Sequence, residues 1–203
     1  MTETISSAVA HRIITGHYKP GEHLVSDTLA AEFGISRLPV RDALTRLSTI
    51  GLVELFPHRG AFVLADQSVE SFREVLDIRA TIEPWVMARA AEKWQEDDLV
   101  AVQTTWDAGR QASIDRDNVT AAIQHTNMLE ALTSAAHHRI ASTTLDPLHK
   151  KTAVLFIRTV GTFKTEGWDG HHQILEAVTN RDPGSVRELT RQHLDGFRRT
   201  LDQ

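Results

Sequence analysis

The spacing of apolar residues predicts short secondary-structure elements in the first third of the chain. Ile5, Val9 and Ile13 recur at helical spacing and indicate an opening helix over residues 5–14. Two shorter helices are predicted on either side of Gly34, because a glycine after an apolar helical stretch commonly ends a helix. The first 50 residues are therefore predicted to be helical apart from their turns.

The two shorter helices have recognisable starts, and the second has a clear apolar face. Ser26 and Ser36 are placed to cap the first turns of the two helices. Val40, Leu44 and Leu47 form one apolar stripe along the second helix. Two short helices joined by a glycine-containing turn are typical of a helix-turn-helix.

Two strand-like segments follow these helices and predict a hairpin. LVEL at residues 52–55 and AFVL at residues 61–64 have apolar and β-branched residues typical of strands. The joining segment FPHRG contains Pro57 and Gly60, which favour a tight turn. A hairpin placed directly after a helix-turn-helix is predicted to form a wing.

Residues 66–203 show a different pattern, in which helical periodicity replaces nearly all strand-like alternation. Acidic residues and proline mark the predicted helix boundaries, including Asp146-Pro147 and Glu166-Gly167. The predicted helices span residues 68–94, 96–113, 116–132, 134–145, 147–163, 168–180 and 183–201. The predicted fold class is mostly α: a winged helix-turn-helix over residues 1–65, then an all-helical antiparallel bundle of six to seven helices over residues 66–203.

Composition and charge narrow the classes of protein that this chain can be. Its 203 residues include no cysteine, which excludes disulfides and thiolate ligands or nucleophiles. No apolar run is long enough for a membrane span and the N-terminus lacks a signal-peptide pattern, so we expect no membrane partner and a cytoplasmic location. The net charge of −5 looks unfavourable for a nucleic-acid binder, but residues 1–65 are balanced and the acidic excess lies in residues 66–203.

The second short helix has a polar face suited to DNA. Arg37, Leu38, Arg41 and Thr45 lie opposite its apolar stripe, where a helix-turn-helix meets the major groove. Arginine can donate two hydrogen bonds to phosphate oxygens or to guanine. The predicted hairpin tip adds candidate contacts to the minor groove or phosphates, at His58, Arg59 and Gly60. On the pattern alone, these could also be ordinary surface arginines on a small helical lobe.

The segment LAAEFGISRLPVRDALTRLSTIGLVELFPHRGAFV resembles the DNA-binding domain of the GntR family of bacterial regulators, and the resemblance extends over residues 5–64. It implies that Arg37 and Arg41 contact double-stranded operator DNA, assisted by Ser36, Arg59 and Gly60. Asp27 departs from the family, which often has a basic residue near the start of the first of these helices. The resemblance favours a repressor that binds a pseudo-palindromic operator as a homodimer.

Two histidines near the C-terminus are placed symmetrically about a predicted turn. His171 precedes Asp182 by eleven residues and His193 follows it by eleven. If the helices on either side of Asp182 are antiparallel, the two imidazoles lie at the same level on apolar faces. They could form half of a metal site or a hydrogen-bonded pair in the core.

Two segments of the second part, LDIRATIEPWVMARAAEK and HHQILEAVTNRDPGSVRELTRQHL, resemble the FCD sensor domain of the FadR subgroup of GntR regulators. Many FCD domains bind zinc or nickel through one Asp and three His. The resemblance places His171 and His193 on two ligand positions, while His125 replaces the Asp and Leu129 replaces the remaining His. A site made of His125, His171 and His193, completed by water or effector, and a complete loss of the metal both remain consistent with the sequence.

The resemblance also implies an effector site. An FCD arginine at the position of Arg79 points into the central cavity and can hold a carboxylate, so a small organic acid is the predicted effector, with Arg79 and the three histidines as its candidate contacts. The alternative is an ordinary ion pair between Arg79 and Glu83 on a solvated face.

The predicted function is a DNA-binding transcriptional regulator, and not an enzyme, controlled by this effector. A metal-dependent enzyme housed in the helical bundle is the main alternative, because histidines can bind zinc and activate water. The sequence has no HExxH motif, no paired catalytic carboxylates and no nucleophile motif near the histidines. A helical interaction protein whose N-terminal lobe contacts another protein is the third possibility.

Overall fold

The structure is a computed structural model that describes residues 2–66, 68–159 and 165–201. Helices dominate it, and a small sheet lies near the N-terminus. The elements in chain order are α1 (Thr2–Ile14), β1 (His23–Leu24), α2 (Ser26–Phe33), α3 (Arg37–Thr49), β2 (Val53–Phe56), β3 (Gly60–Val63), α4 (Val69–Lys93), α5 (Glu96–Ile114), α6 (Asn118–Ala135), α7 (Arg139–Thr159), α8 (Thr165–Thr179) and α9 (Pro183–Thr200). This architecture confirms the predicted fold class.

Helices α2 and α3 form the predicted helix-turn-helix. Gly34 ends α2 in the left-handed conformation with φ of 67°, and its backbone N–H donates to the carbonyls of the last helical turn. Val40, Leu44 and Leu47 are buried, as their spacing predicts. The cap prediction is wrong for Ser26, because the Val25 carbonyl already accepts from the Leu29 N–H and the helix begins at Ser26 itself.

Ser36 does occupy the N-cap position of α3, with extended backbone. Its side chain makes no capping hydrogen bond, so the serine marks the start of the helix without satisfying an N–H there.

The wing is a three-stranded antiparallel sheet with strand order β1-β3-β2. Strands β2 and β3 confirm the predicted hairpin, with Phe56 paired with Gly60 at the tip. Strand β1 was not predicted, because its two residues are too few to show any alternation. It adds His23 and Leu24 to the free edge of β3 and ties the chain before α2 to the wing.

Helices α4–α9 form the C-terminal part, with two boundaries that differ from prediction. The predicted break at Asp146-Pro147 is wrong, because α7 continues through Pro147. Proline removes one helical hydrogen bond, but Leu145 and His149 on either side of it are both buried and hold the helix in place. The break at Glu166-Gly167 is also wrong, since α8 already begins at Thr165. The predicted end of the preceding helix at residue 163 lies outside the described residues.

The C-terminal part packs directly against the helix-turn-helix. One cluster of buried residues includes Val9 and Leu47 from the N-terminal part together with Ile123 of α6 and Val154 of α7. Arg46 of α3 donates from Nη2 to Oγ1 of Thr120 on α6 at 2.9 Å. Helices α6 and α7 therefore join the C-terminal interior to the helix that carries the DNA-binding candidates.

The two parts approach each other closely where α3 ends. Gly51 has φ of +71°, and a Cβ placed on it would lie 3.0–3.2 Å from the Cβ, carbonyl carbon and carbonyl oxygen of Lys150 on α7. A side chain at residue 51 would meet both steric crowding and backbone strain. Glycine allows α7 to pack against the turn that follows α3.

Within the described ranges, no helix combines the length and the apolar character that crossing a membrane requires.

Candidate functional site

The predicted DNA-facing residues of α3 form one exposed row. Ser36, Arg37, Leu38, Arg41 and Thr45 are all exposed, on the side opposite the buried stripe. Leu38 is 68% exposed, so this row contains an apolar side chain as well as polar ones. The arrangement leaves the α3 surface open to a large partner.

The wing tip holds Arg59 in a defined place. Its guanidinium lies 5.3 Å from the ring centroid of Phe56 and 5.6 Å from that of Phe62. Gly60 has φ of +95°, and a Cβ there would come within 2.7 Å of the His23 ring, so this tip requires glycine. His58 also adopts a positive φ, 61°, within the turn.

The structure brings the candidate residues of α3 and of the wing to one groove. Arg41 and Thr45 of α3 line it together with His58 and Gly60 of the wing tip, and its volume is about 430 Å³. Ser26, at the start of α2, also lines it. Residues from three elements thus face one open space, although they lie far apart in sequence.

Asp27 makes a contact that the sequence did not reveal. Its Oδ1 lies 2.5 Å from Nε of Arg37, so the acidic residue pairs with one of the arginines predicted to contact DNA. Both side chains are more than half exposed, and such surface pairs stabilise proteins little. A phosphate approaching Arg37 would compete with Asp27 for the same guanidinium.

The C-terminal interior brings together the three histidines of the predicted metal site. The ring centroids of His171 and His193 are 4.2 Å apart, and those of His125 and His171 are 4.8 Å apart. Antiparallel packing of α8 and α9 places His171 and His193 at one level, and α6 supplies His125.

Burial favours the neutral form of His125 and of His193. It lowers the pKa of His125 and of His193 well below the usual value, and the neighbouring His171 lowers both further. Neutral imidazole is the form that ligates metals. In the arrangement observed, however, no three His, Asp or Glu side chains within the described part of the chain are grouped so that they could hold an ion.

Trp168 forms one wall of the histidine cluster. It is 1% exposed, its ring centroid lies 5.8 Å from that of His125, and its Nε1 donates to Ser113 at 2.7 Å. Gly109 of α5 makes room for this indole, because a Cβ there would lie 2.1 Å from the ring.

Arg79 and Glu83 form a buried ion pair, so the alternative of a pair on a solvated face is wrong. Each residue is 2% exposed. Arg79 donates from Nε to Oε2 of Glu83 at 2.7 Å and from Nη2 to Oε1 at 2.9 Å. Burial raises the pKa of Glu83, but Arg79 and His149 lower it more, and the net pKa lies well below its usual value.

His149 completes this group and was missed by the sequence reasoning. Its Nε2 lies 3.0 Å from Oε2 of Glu83, and its side chain is 1% exposed. The sequence did contain a usable indication, because His149 shares one helical face with the buried residues Leu145 and Thr152. The wrongly predicted break at Pro147 hid this periodicity.

Two family models match the chain, one on each side of the predicted domain boundary. Residues 1–63 match the model described as "Bacterial regulatory proteins, gntR family", and residues 74–196 match the FCD domain.

Curated relatives agree with these matches. The chain is 25% identical to the transcriptional repressor GlaR of Escherichia coli over 207 residues, covering 94% of this chain and 93% of GlaR. It is 30% identical to the transcriptional regulator McbR of E. coli over 112 residues, covering 55% of this chain and 50% of McbR.

Solved structures show the same fold. E. coli McbR/YncC superimposes with a TM-score of 0.64 at 22% identity, covering 100% of this chain and 97% of that one. A GntR regulator from Rhodococcus sp. RHA1 gives a TM-score of 0.62 at 19% identity, with coverage of 98% and 96%. The FCD match spans more than half of the chain, and the protein therefore belongs to the GntR family of bacterial transcriptional regulators, with an FCD domain following its helix-turn-helix.

Proposed function

We propose that this protein is a transcriptional repressor that binds operator DNA as a homodimer and is released by a small carboxylate. The observation that carries the proposal is the groove in which Arg41 and Thr45 of α3 face His58 and Gly60 of the wing. Helix α3 would enter the major groove while the wing tip contacts the adjacent backbone. A protein with this role acts in the bacterial cytoplasm.

The repressor role and the homodimer draw support from different sources. The relative GlaR, which matches almost the full chain, is itself a repressor. A homodimer presents two copies of α3 to two half-sites of a pseudo-palindrome. Helix α4 leaves Ile78 and Trp85 exposed seven residues apart on one face, which supplies apolar surface for a second copy. These features, with the FCD match, favour the FadR subgroup.

The buried Arg79 is the proposed anchor of the effector. Its Nη1 is buried and has no hydrogen-bond partner among the described side chains. A carboxylate could accept a charge-assisted hydrogen bond from this atom. His125, His171 and His193 would line the same interior as further contacts.

The route from this interior to DNA is short. Helix α7 carries His149, bonded to Glu83, and the next residue, Lys150, packs against Gly51 at the end of α3. Helix α6 carries His125 and touches α3 through Thr120. An effector that changes the Arg79–Glu83–His149 contacts would move α7 relative to α3, which favours one arrangement of the DNA-binding parts over another.

A gel-shift experiment on operator DNA tests both the DNA-binding role and the release by carboxylate. The wild-type protein should retard DNA from the intergenic region upstream of its own gene in a gel-shift experiment, and a panel of small carboxylates should include one that releases it. The double variant Arg79→Gln/Glu83→Gln should bind the same DNA and stay bound at carboxylate concentrations that release the wild type. It is preferred to Arg79→Ala, which would leave Glu83 buried without its cation.

The matched control is Arg191→Gln/Glu188→Gln, which removes the same charges from an exposed ion pair on α9. This control should respond to carboxylate like the wild type. Release of both double variants at equal concentrations would rule out Arg79 as the effector anchor, and absence of any retardation would reject the DNA-binding role.

We further propose that His125, His171 and His193 bind a divalent metal, zinc or nickel. The support is the chemistry of the donors: three imidazoles lie within one cluster, and the lowered pKa values of His125 and His193 favour the neutral form that ligates metals. The rings pack edge to face, so the side chains must rotate before their nitrogen atoms can converge on an ion. When bound, the metal would supply a positive centre for the effector carboxylate.

Elemental analysis of the purified protein should show about one metal per chain, because one cluster gives one site. His193→Phe should lose the metal, whereas His172→Phe, which changes an exposed neighbouring histidine, should keep it. A metal-free protein whose melting temperature is insensitive to added zinc and nickel would reject this site.

A further inference from the structure

Two buried polar atoms of the groups that contact the Glu83 carboxylate have no partner. Nη1 of Arg79 and Nδ1 of His149 are both inaccessible to solvent and make no hydrogen bond within the described part of the chain. The remaining nitrogen atoms of the two groups, Nε and Nη2 of Arg79 and Nε2 of His149, are hydrogen-bonded to Glu83. Leaving buried polar atoms unsatisfied costs free energy, and such atoms commonly indicate a missing ligand or water.

The hydrogen-bond polarity of His149 follows from its contact with Glu83. Arg79 donates to both oxygens of Glu83, which identifies this group as an ionised carboxylate that only accepts. Nε2 of His149 must therefore carry a hydrogen and donate it. A neutral imidazole has one N–H, so Nδ1 is an acceptor.

The surroundings support a neutral His149. Burial lowers its pKa, and this effect exceeds the opposing influence of Glu83. A second cation next to Arg79 in a buried site would also be unfavourable. The group therefore offers a ligand one charged donor, on Arg79, and one neutral acceptor, on His149.

We propose that Arg79 and His149 together select a hydroxycarboxylate as the effector. The ligand carboxylate accepts from Nη1 of Arg79, and a hydroxyl on a nearby carbon donates to Nδ1 of His149. A plain carboxylate satisfies Arg79 and leaves His149 Nδ1 without a donor. An amino acid could donate from its ammonium, but this cation would lie beside Arg79. The inference rests on the proposed effector site and adds the chemical class of its ligand.

Matched pairs of ligands test this assignment by isothermal titration calorimetry on the full-length protein. Lactate is compared with propionate, malate with succinate, and alanine is included as the amino analogue. The wild type should bind at least one hydroxy acid at least about tenfold more tightly than its deoxy partner, because one buried acceptor is then satisfied. Alanine should bind no better than propionate.

The variant His149→Gln separates the two roles of the histidine. The glutamine amide can still donate to Glu83, but it places no acceptor where Nδ1 was. This variant should retain the binding of the deoxy acids and lose the preference for the hydroxy acids. His172→Gln, at an exposed histidine on α8, should keep the preference.

Equal affinities for both members of every pair, or a preference that survives in His149→Gln, would overturn the hydroxycarboxylate assignment. Because the same samples are tested on operator DNA, its failure is distinguishable from failure of the proposed function. Plain carboxylate binding that depends on Arg79 would leave the effector site in place, whereas failure of every carboxylate to bind would remove both the site and this inference.

Discussion

Replacing Arg41 with alanine is expected to weaken operator binding about 30-fold or more. Arg41 is exposed on α3 and lines the groove between this helix and the wing. A bidentate arginine contact with a base is worth about 1–3 kcal/mol, and a homodimer would lose two such contacts, which together give about 2–6 kcal/mol. The affinity would be measured by quantitative gel shift at one fixed salt concentration, because salt alone changes it strongly.

The control for this variant is Arg187→Ala, which removes one positive charge from an exposed position on α9. It should bind operator DNA within about twofold of the wild type, and both variants should have the unfolding midpoint of the wild type, since neither side chain is buried. An Arg41→Ala variant that binds as tightly as Arg187→Ala would show that α3 is not the recognition helix.

The second large effect is expected from Glu83→Ala, which should lower the free energy of unfolding by about 3–5 kcal/mol. The substitution leaves the Arg79 guanidinium, 2% exposed, without its counter-charge and removes the acceptor of His149. Removing one partner of a buried pair costs far more than the pair contributes, because the remaining charge stays desolvated. Urea unfolding followed by circular dichroism measures the difference.

Two further variants identify the cause of that loss. Glu188→Ala, on the exposed pair with Arg191, should cost less than about 1 kcal/mol. Arg79→Met/Glu83→Leu replaces both charges with apolar groups and should be more stable than Glu83→Ala, although it contains one more substitution. If Glu83→Ala is no less stable than Glu188→Ala, solvent must reach the Arg79–Glu83 pair.

The N-terminal elements could be predicted from the sequence because local patterns determine them. Gly34 ends α2, the stripe of Val40, Leu44 and Leu47 defines the buried face of α3, and Pro57 marks the hairpin tip. Each of these features acts over a few residues, and a single sequence displays it directly. The two-residue strand β1 was not predicted, because its pairing with β3 is a long-range contact that leaves no local pattern in the sequence.

The buried polar group was harder to predict because an ion pair can be exposed or buried at the same sequence spacing. Phe72, Leu76, Arg79, Glu83 and Val86 alternate by four and three residues along α4, so the pair continues an apolar face. The apolar periodicity of α4 indicates that the pair is buried, whereas the spacing of the two charged residues alone does not. The partner that decides its chemistry, His149, lies 66 residues away in sequence.

The shared interior of the two parts limits how this protein can be recombined with its relatives. Domain exchange between regulators treats the DNA-binding module and the sensor as separable at the linker, yet Val9, Leu47, Ile123 and Val154 pack in one cluster that crosses it. A chimaera joined near residue 65 would set foreign side chains against Gly51 and the α3 surface. A functional exchange therefore has to transfer the facing surfaces of α6 and α7 together with the helix-turn-helix that they support.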